Sequence, residues 1–392
     1  RSSRSLLVSP SFPSGRRAMA GVAAGTSAEG LDEAAAALAA ADWVLVAAGA
    51  GFSADSGLAT YEECIASGLD YDALCRSELL YENPDAFYKF WCGGLRKYRE
   101  TDRHEGYDIL DRLLGERARA GRVHAYTSNV DGHFRRSAGF SVFEVHGCCE
   151  EWMCSSRIAY AAAELVRDRA DQHDASLKGK DEPLEGERWV RVREAQKRIT
   201  GSPCSRPRPL AVPRAWAPPE DQEVSLPQAA HCTRSDGDAA AAAGADWGRM
   251  PPLCGCGLPL RPCVLMFGDE DAALMRHLKA GEERYQEWEA NMEEALEVSR
   301  GRLAILELGC GTRVQSIRQE CEWVMRDAAA RGADVTLIRV NPSDDPRLDK
   351  LLCEEGEDTG RTRLLRLRAG ASDALREIER RGNTSIGSVK SP

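Results

Sequence analysis

An apolar run that ends abruptly in glycines, VLVAAGAG at residues 44–51, constrains the fold of this chain more than any other stretch. A short apolar run of this kind is typical of a strand buried on both faces of a parallel sheet. The two glycines fit the start of a G-x-G-x-x-G nucleotide loop, but Ala54 stands in place of the third. Polar residues follow instead, in SADSG at 53–57. We therefore expect a strand end that binds its ligand with side chains as well as backbone.

Strands that alternate with helices continue along the chain, and each strand ends in Gly, Asn, Asp or Ser. This alternation predicts an α/β fold with a doubly wound, Rossmann-like parallel sheet, in which ligands bind at the carboxyl ends of the strands. Residues 62–119 have the apolar spacing of helices, and Asn83 before Pro84 predicts the start of one helix. The predicted strands include 43–48, 122–129, 140–147, 260–271 and 303–311, with a long helix at 272–299.

Charge and cysteine content exclude several classes of protein. The 62 acidic and 52 basic residues give a formal charge of −10, which argues against direct nucleic-acid binding through a basic face. No run approaches the roughly 18 apolar residues of a membrane span, so no membrane partner is expected. The 14 cysteines are scattered, and several lie in strand-like or helix-like runs. This pattern favours reduced, partly buried thiols over a secreted disulfide scaffold, and it leaves a metal cluster open.

Three segments differ in composition from the rest. Residues 1–28 are rich in Arg and Ser and lack acids, which is typical of an organelle transit segment but fits a simple tail equally well. The compartment therefore stays open between cytoplasmic and organellar. Residues 157–250 are dominated by Pro, Ala and charge, and we expect most of them to form a low-complexity, flexible insertion that folding does not need. Residues 381–392 are expected to form a second tail.

Four strand ends carry the residues that could do chemistry. They are Gly49-Ala50-Gly51, TSNVD at 127–131, His146-Gly147 and Gly309-Cys310-Gly311. Each has an ordinary explanation when taken alone: Gly-x-Gly is often a tight turn, Asn-x-Asp is usually turn chemistry, and a lone His after a strand is more often structural than catalytic. Their order along one chain is what makes them specific.

In this order the blocks resemble the sirtuin family of NAD-dependent protein deacylases, in an atypical branch. The family's Gly-Ala-Gly-x-Ser-x-x-x-Gly-Ile-Pro-x-Phe-Arg corresponds to GAGFSADSGLATYE at 49–62. Its Thr-Gln-Asn-Ile-Asp, Ala-Gly and His-Gly correspond to TSNVDGHFRRSAGFSVFEVHG at 127–147. Its Arg-Pro-x-Val-Val-x-Phe-Gly-Glu corresponds to RPCVLMFGD at 261–269, its Gly-Thr-Ser to GCG at 309–311, and its Ile-Asn to VN at 340–341.

The resemblance spans residues 33–380 apart from the insertion, and it implies one catalytic domain over 31–380. Within that domain it implies a Rossmann core, a helical module at 62–119, and a degenerate, zinc-ribbon-like module with the insertion at 151–259. The core would be assembled from 31–61, 120–150 and 260–380.

The resemblance also implies a role for individual residues around NAD. The backbone amides of Gly49 to Gly51 would approach the phosphates, Asp131 would bind the nicotinamide carboxamide, and Asn129 would bind ribose hydroxyls. His146 would act as general base on a ribose hydroxyl, which suits an imidazole that titrates near neutral pH. The implied catalytic residues are thus His146 and Asn129. The implied cofactor-binding residues are Gly49, Ala50, Gly51, Ser53, Gly57, Tyr61, Ser128, Asn129, Asp131, Gly309, Gly311 and Asn341.

Several positions depart from the family pattern. Ser128 replaces the Gln beside the catalytic Asn and reaches less far. In LATYE at 58–62, Tyr61 can still cover the ribose face, but Glu62 places an anion where the family has a cation near the phosphates. We expect this change to weaken NAD binding. The segment GCG at 309–311 lacks both hydroxyls of the family's Gly-Thr-Ser.

The cysteines only partly fit the structural zinc site that the resemblance implies. Cys154 occupies the place of the first ligand, but Arg157 stands where its partner is expected. Cys254-x-Cys256 is one residue shorter than the usual Cys-x-x-Cys. Because tetrahedral zinc takes four ligands, Cys154, Cys254 and Cys256 would need a further thiol. The candidates for that fourth ligand are Cys148, Cys149, Cys204 and Cys232.

The sequence therefore predicts an NAD-consuming protein deacylase that transfers the acyl group of an acylated protein or peptide to ADP-ribose and releases nicotinamide. Two alternatives stay open. One is an NAD hydrolase or ADP-ribosyltransferase, in which water or another nucleophile takes the place of the acyl-lysine. The other is a non-catalytic module that senses NAD or ADP-ribose and binds a partner through its insertion.

Overall fold

The computed structural model describes residues 27–137, 139–155, 209–216, 224, 245–248, 250–255, 258–269, 271–311, 315–343 and 360–387. The predicted leading segment at 1–28 therefore lies almost wholly outside the described residues. Most of the predicted insertion at 157–250 lies outside them as well.

Six parallel strands form the main sheet, in the order β3-β2-β1-β7-β8-β9. The chain moves outward in one direction from β1 through β2 to β3 and in the other from β7 through β8 to β9. The order therefore reverses between β1 and β7, which is where ligands bind in open α/β sheets. The bounds are β1 Trp43–Ala48, β2 Val123–Thr127, β3 Ser141–Glu144, β7 Arg302–Leu308, β8 Asp334–Val340 and β9 Thr362–Leu367. The predicted doubly wound α/β fold is confirmed.

Consecutive residues of a strand point to opposite faces of the sheet. The buried strands therefore present apolar side chains on both faces, and helices cover each face. Val44 and Val46 of β1 pack into a core that contains Leu110. Leu45 packs into the other core, with Tyr285. The helices of the chain are Ala28–Ala40, Ala50–Ala54, Tyr61–Ala66, Tyr71–Leu74, Leu79–Glu82, Pro84–Glu100, Glu105–Arg119, Ala272–Ser299, Ser316–Ala330 and Ala371–Gly387, with a short 3-10 helix at His133–Arg136.

Two local predictions about helices can be compared directly with the structure. The Asn83 side chain accepts a hydrogen bond from the backbone N–H of Ala86 at 3.0 Å, so the predicted helix start at Pro84 is confirmed. The last helix continues to Gly387, beyond residue 381, where a tail is predicted to begin. None of the helices in the described ranges is both long enough and apolar enough to cross a membrane.

A second, antiparallel sheet was not predicted. It has the order β5-β4-β6, with bounds Leu210–Ala211, Gly147–Cys154 and Leu260–Val264. The apolar run at 260–271 was assigned to the main sheet, but its strand, β6, pairs with β4 instead. Apolar character alone cannot tell which sheet a strand joins. Gly147 has a φ of +81°, and a Cβ there would lie 2.0 Å from the carbonyl oxygen of Cys263, so a glycine is required where β4 meets β6.

The chain divides into two compact units. The first unit comprises residues 1–66, 101–145 and 280–392 and contains the main sheet. The second comprises 67–100 and 146–279 and contains the antiparallel sheet. The single catalytic domain implied for 31–380, with its division into modules, stays a prediction.

Candidate functional site

Glycines allow two strand-end loops of the first unit to cross in close contact. The N–H of Gly49 donates to the carbonyl of Leu308 at 3.1 Å, and the N–H of Gly51 donates to the carbonyl of Gly309 at 2.9 Å. A Cβ on Gly51 would lie 2.7 Å from that same carbonyl oxygen, so no side chain fits. The loops after β1 and β7 thus meet where the strand order reverses. Because the N–H groups of Gly49 and Gly51 bind within the protein, these glycines serve loop packing as well as any ligand.

A buried hydrogen-bond network lies beside this crossing, at the ends of β1 and β2. The Ser53 hydroxyl donates to Oδ2 of Asp131 at 2.6 Å. Nδ2 of Asn129 donates to Oγ of Ser53 at 3.0 Å and to the carbonyl of Gly49 at 2.9 Å. All three side chains are at most 8% exposed. Three residues named from the sequence as ligand-binding therefore form one connected group.

Backbone contacts fix the ends of this network. The N–H of His133 donates to Oδ1 of Asp131 at 2.8 Å. The Thr127 hydroxyl donates to the carbonyl of Ala48 at 2.9 Å and accepts from the N–H of Asn129 at 3.1 Å. The sequence analysis gave Thr127 no role of its own, although it begins the quoted TSNVD stretch. It ties β2 to β1 at the point where the network begins.

Aromatic rings and a histidine surround the network on its buried side. The ring of Phe52 lies 4.6 Å from that of His104 and 4.5 Å from that of Tyr107, between centroids. Burial lowers the pKa of His104, which favours the neutral imidazole. Burial also raises the pKa of Tyr107, and the nearby Asp131 carboxylate raises it further. These two neighbours are therefore uncharged near neutral pH.

The remaining predicted residues of the first unit lie around the same strand ends. The N–H of Ser128 donates to the carbonyl of Ala48 at 3.2 Å. Nδ2 of Asn341, after β8, donates to the carbonyl of Cys310 at 2.8 Å and so holds the loop that leads to Gly311. Gly57 has a φ of +83°, a conformation that favours glycine. Tyr61 begins a six-residue helix in which no residue is buried.

One contact of the segment that follows Ser53 could not be predicted from the sequence. Oδ2 of Asp55 accepts a hydrogen bond from the N–H of Ser372 at 2.6 Å, at the start of the last helix. Asp is a common helix cap, but the capped helix is distant in sequence, so no local pattern reveals the pairing. The contact holds the loop after Ser53 to the C-terminal part of the first unit.

His146 and the predicted zinc ligands belong to the second unit. His146 is half-buried, and its carbonyl accepts from the N–H of Leu265 at 2.8 Å. Cys154 is buried at the end of β4 and pairs with Leu260 of β6. The N–H of Cys254 donates to the carbonyl of Leu258 at 2.8 Å. Cys256 lies outside the described residues.

Comparison with solved structures agrees with this fold. A Sir2 homologue, solved as a mutant in complex with ADP-ribose, aligns with 92% of this chain and 99% of its own, at a TM-score of 0.52 and 16% identity. A second ADP-ribose complex of a Sir2 homologue mutant aligns with the same shares, at a TM-score of 0.50 and 17% identity. The chain has the Sir2 fold. The predicted resemblance to sirtuins is confirmed.

The sequence comparison leads to the same kind of protein as the structure comparison. NAD-dependent protein deacetylase 2 of Caldanaerobacter subterraneus is 24% identical over 133 residues, which cover 33% of this chain and 52% of that protein. NAD-dependent protein deacylase 2 of Corynebacterium efficiens is 31% identical over 119 residues, which cover 27% of this chain and 43% of that protein. The chain therefore spans about half the length of the curated relatives it matches. No protein-family model matches it.

Proposed function

We propose that this protein is an NAD-dependent protein deacylase that transfers an acyl group from an acylated protein to ADP-ribose and releases nicotinamide. The observation that carries the proposal is the buried network of Ser53, Asn129 and Asp131 beside the crossing of Gly51 and Gly309. It lies where the strand order reverses, which is the usual place for a nucleotide in such a sheet. The names of the relatives and the ADP-ribose in the similar structures support the same ligand.

The network has the chemistry needed to hold a nicotinamide riboside group. Both oxygens of Asp131 already accept one hydrogen bond, and a carboxylate oxygen has a second lone pair for a carboxamide N–H. Both N–H groups of the Asn129 amide are engaged by Ser53 and Gly49, so its Oδ1 is the atom we assign to a ribose hydroxyl. When bound, NAD supplies the C1′ centre from which nicotinamide leaves.

His146 is the residue we assign as general base. It follows directly on Val145, the last residue of this part of the first unit, whose N–H donates to the carbonyl of Thr127 at 2.9 Å. An imidazole can take a proton from a ribose hydroxyl near neutral pH. The proposed role is to remove that proton after nicotinamide has left.

The test is to incubate the full chain with NAD and a panel of acyl peptides and to measure nicotinamide and O-acyl-ADP-ribose separately. A deacylase forms both products. In His146→Ala, acyl transfer should fall by about 10² to 10⁴. Nicotinamide exchange precedes the proton transfer and should survive in part.

Other outcomes identify the alternatives. Nicotinamide release without any acyl product, within a few-fold of wild type in the variant, would show an NAD hydrolase. ADP-ribose carried to another acceptor would show a transferase, and no product at all, with NAD still bound, would show a sensor. Loss of thermal stability together with every activity would show that His146 is structural.

Zinc has no step in this proposal. Among the described residues, no group of three or more His, Cys, Asp and Glu side chains could hold a metal ion. Cys154 and Cys254 are described, as are the candidate further ligands Cys148 and Cys149, but no three of these thiols form such a group, and tetrahedral zinc takes four ligands. The thiols that the structure describes therefore do not fit a zinc site by themselves, and metal analysis of the purified protein decides whether Cys256 and a further thiol complete one.

A further inference from the structure

Three tryptophan side chains of the second unit pack against one another. Trp152 of β4 lies 5.5 Å from Trp216 and 6.1 Å from Trp247, between ring centroids, and the latter two are 5.1 Å apart. The interplanar angles are 62° to 74°, which is the edge-to-face geometry that aromatic pairs prefer. On another side, Tyr88 stacks on Trp152 at 6.1 Å. We call Trp152, Trp216 and Trp247 the tryptophan cluster.

The cluster joins parts of the chain that are far apart in sequence. Trp152 is fully buried in β4, whereas Trp216 and Trp247 belong to the described parts of the stretch that the sequence predicts to be a flexible insertion. Trp216 and Trp247 are half-buried, and their rings pack against the buried Trp152. Large aromatic side chains such as these contribute much of the apolar contact area in a small core. These described parts of 157–250 are therefore packed, whereas most of that stretch lies outside the described residues and its predicted flexibility stays a prediction.

Arg99 binds both β4 and residues 212–216 through all three nitrogens of its guanidinium group. Its Nε and Nη2 donate to the Glu150 carboxylate at 3.0 and 2.6 Å. Its Nη1 donates to the carbonyls of Pro213 and Trp216 at 3.2 and 3.0 Å, and its Nη2 also donates to the carbonyl of Val212 at 3.1 Å. A bidentate pair with a carboxylate is among the stronger polar contacts in proteins. Arg99 thus holds the backbone that carries Trp216.

Backbone pairing completes the attachment. Leu210 and Ala211 form β5 against Trp152 and Glu151 of β4. Farther along, Asp246 and Leu253 exchange reciprocal hydrogen bonds at 2.8 and 3.0 Å, which holds the segment of Trp247 in place.

We infer that the tryptophan cluster and Arg99 hold the second unit together in the role that the sirtuin resemblance gives to zinc. The differences between the cysteine pattern of this chain and the zinc-binding pattern of sirtuins support the same inference. Arg157 stands where the second thiol is expected, and Cys254-x-Cys256 is one residue short. The unit therefore folds and stays folded without a bound metal.

The experiment uses the full chain and a metal chelator. Closely spaced indole rings couple excitonically and give a couplet in the far-ultraviolet circular dichroism. Trp43 and Trp288 of the first unit also lie 5.9 Å apart, so the part of the couplet that Trp216→Ala removes is the part that reports on the cluster. We expect metal far below one equivalent in the purified protein, and chelation should leave both the couplet and the Tm unchanged. One equivalent of zinc, with loss of the couplet or a fall in Tm on chelation, would overturn the inference.

Variants test the cluster directly. Trp216→Ala should abolish most of the couplet and speed hydrogen exchange in β4, residues 147–154. Trp43→Ala, which removes a half-buried tryptophan from the first unit, should leave exchange in β4 at the wild-type rate. Cys154→Ser tests the thiol: unchanged exchange supports the inference, and exchange as fast as in Trp216→Ala overturns it. If Trp216→Ala does not fold, Trp216→Phe keeps a ring at the site and should show a weakened couplet in a folded protein.

Discussion

At the scale of single residues, Asp131 is held from two sides, because its oxygens accept from the Ser53 hydroxyl and from the backbone N–H of His133. Asp131→Asn keeps an acceptor for His133, and the Ser53 hydroxyl can rotate to accept from the new amide. The fold should therefore survive while the negative charge is lost. Hydrogen bonds to charged groups contribute about 1.5 to 3 kcal/mol, so we expect NAD to bind about 10- to 100-fold more weakly.

Calorimetric titration with NAD measures this change. Asp108→Asn is a suitable control, since Asp108 is an exposed acid of the first unit that pairs with Arg103. The control should bind NAD as the wild type does. Equal affinity in the two variants would contradict the assignment of nicotinamide to Asp131.

Glu62 is a residue at which the departure from the sirtuin pattern can be tested. It is exposed, and its Oε1 lies 3.6 Å from the position that a Cβ would take on Gly311. The carboxylate therefore lies near the strand ends where the sirtuin resemblance puts the phosphates. We expect Glu62→Gln to bind NAD more tightly than the wild type, and Glu62→Arg more tightly still. The increase in NAD affinity should become smaller at higher salt concentration, because salt screens the charges.

The neighbouring acid provides a matched control for this prediction. Glu63 is also exposed, but its carboxylate accepts from the N–H and the hydroxyl of Thr60, at 2.7 and 2.9 Å. Glu63→Gln should leave NAD affinity unchanged. A gain of the same size in both variants would mean that only net charge matters and that Glu62 has no special position.

The sequence was sufficient to name the three network residues but not the contacts that hold them. Ser53, Asn129 and Asp131 each occupy a recognisable place in a motif, and strand ends of a parallel sheet meet at one edge. The contact of Asp55 with Ser372 has no such signal, because it joins a loop to a helix over 300 residues later. The engagement of the Gly51 N–H by Gly309 is likewise a property of how two loops cross.

At the scale of elements, the close crossing of the loops after β1 and β7 leaves no space for a side chain. In Gly51→Ala, the new Cβ would lie 2.7 Å from the carbonyl oxygen of Gly309 and 2.9 Å from its Cα. Both are backbone atoms, so relief requires the loops to separate. Forcing a methyl group into a packed site costs about 1 to 3 kcal/mol. We expect a lower Tm together with weaker NAD binding.

Gly93→Ala is the matched control, because it makes the same substitution where there is space. Gly93 lies inside the helix Pro84–Glu100, and a Cβ there meets nothing within 4 Å. Alanine in a helix is favoured over glycine by about 1 kcal/mol, so this variant should melt at a slightly higher temperature and bind NAD normally. Thermal unfolding of both variants gives the comparison, and equal behaviour would show that the crossing tolerates a side chain.

Elements with a clear local pattern of apolar residues were predicted well. Elements defined by pairing with distant parts of the chain were not. β1 was predicted at its observed bounds because an apolar run between polar ends is a local signal. β4 was missed because its residues, GCCEEWMC, show no clean alternation. Its partner β6 follows only after the long predicted insertion, so the pairing that creates the second sheet is not visible locally.

At the scale of the whole molecule, a buried histidine contributes to how stability depends on pH. His124 is the second residue of β2 and is 3% exposed, and its ring lies 5.1 Å from that of Tyr285 and 5.3 Å from that of Trp288, between centroids. Within the described part of the chain, neither ring nitrogen has a hydrogen-bond partner. Burial lowers the pKa of His124 to about 3, and the positive charge of Arg284 acts in the same direction. The native protein therefore keeps this imidazole neutral.

The sign of the effect follows from the two pKa values. In the unfolded chain His124 takes up a proton near pH 6.5, but in the native protein it does so only near pH 3. The unfolded state binds more protons in that window, so stability is full above pH 6.5 and is lost as the pH falls. One pKa unit corresponds to 1.36 kcal/mol, so about 2 kcal/mol should be lost between pH 7 and pH 5. The buried carboxyl of Glu322 has a raised pKa and works in the opposite direction.

His124→Phe keeps a ring among its aromatic neighbours and removes the titration. Its unfolding free energy, measured by denaturant titration at pH 7 and pH 5, should therefore fall less on acidification than that of the wild type, by about 2 kcal/mol. Tyr126→Phe alters the same strand without removing the imidazole. Because burial raises the pKa of Tyr126 well above its usual range, this control should keep the wild-type dependence on pH even if its stability differs at every pH. An equal loss of unfolding free energy between pH 7 and pH 5 in the wild type and in His124→Phe would show that other groups control the acid sensitivity of the fold.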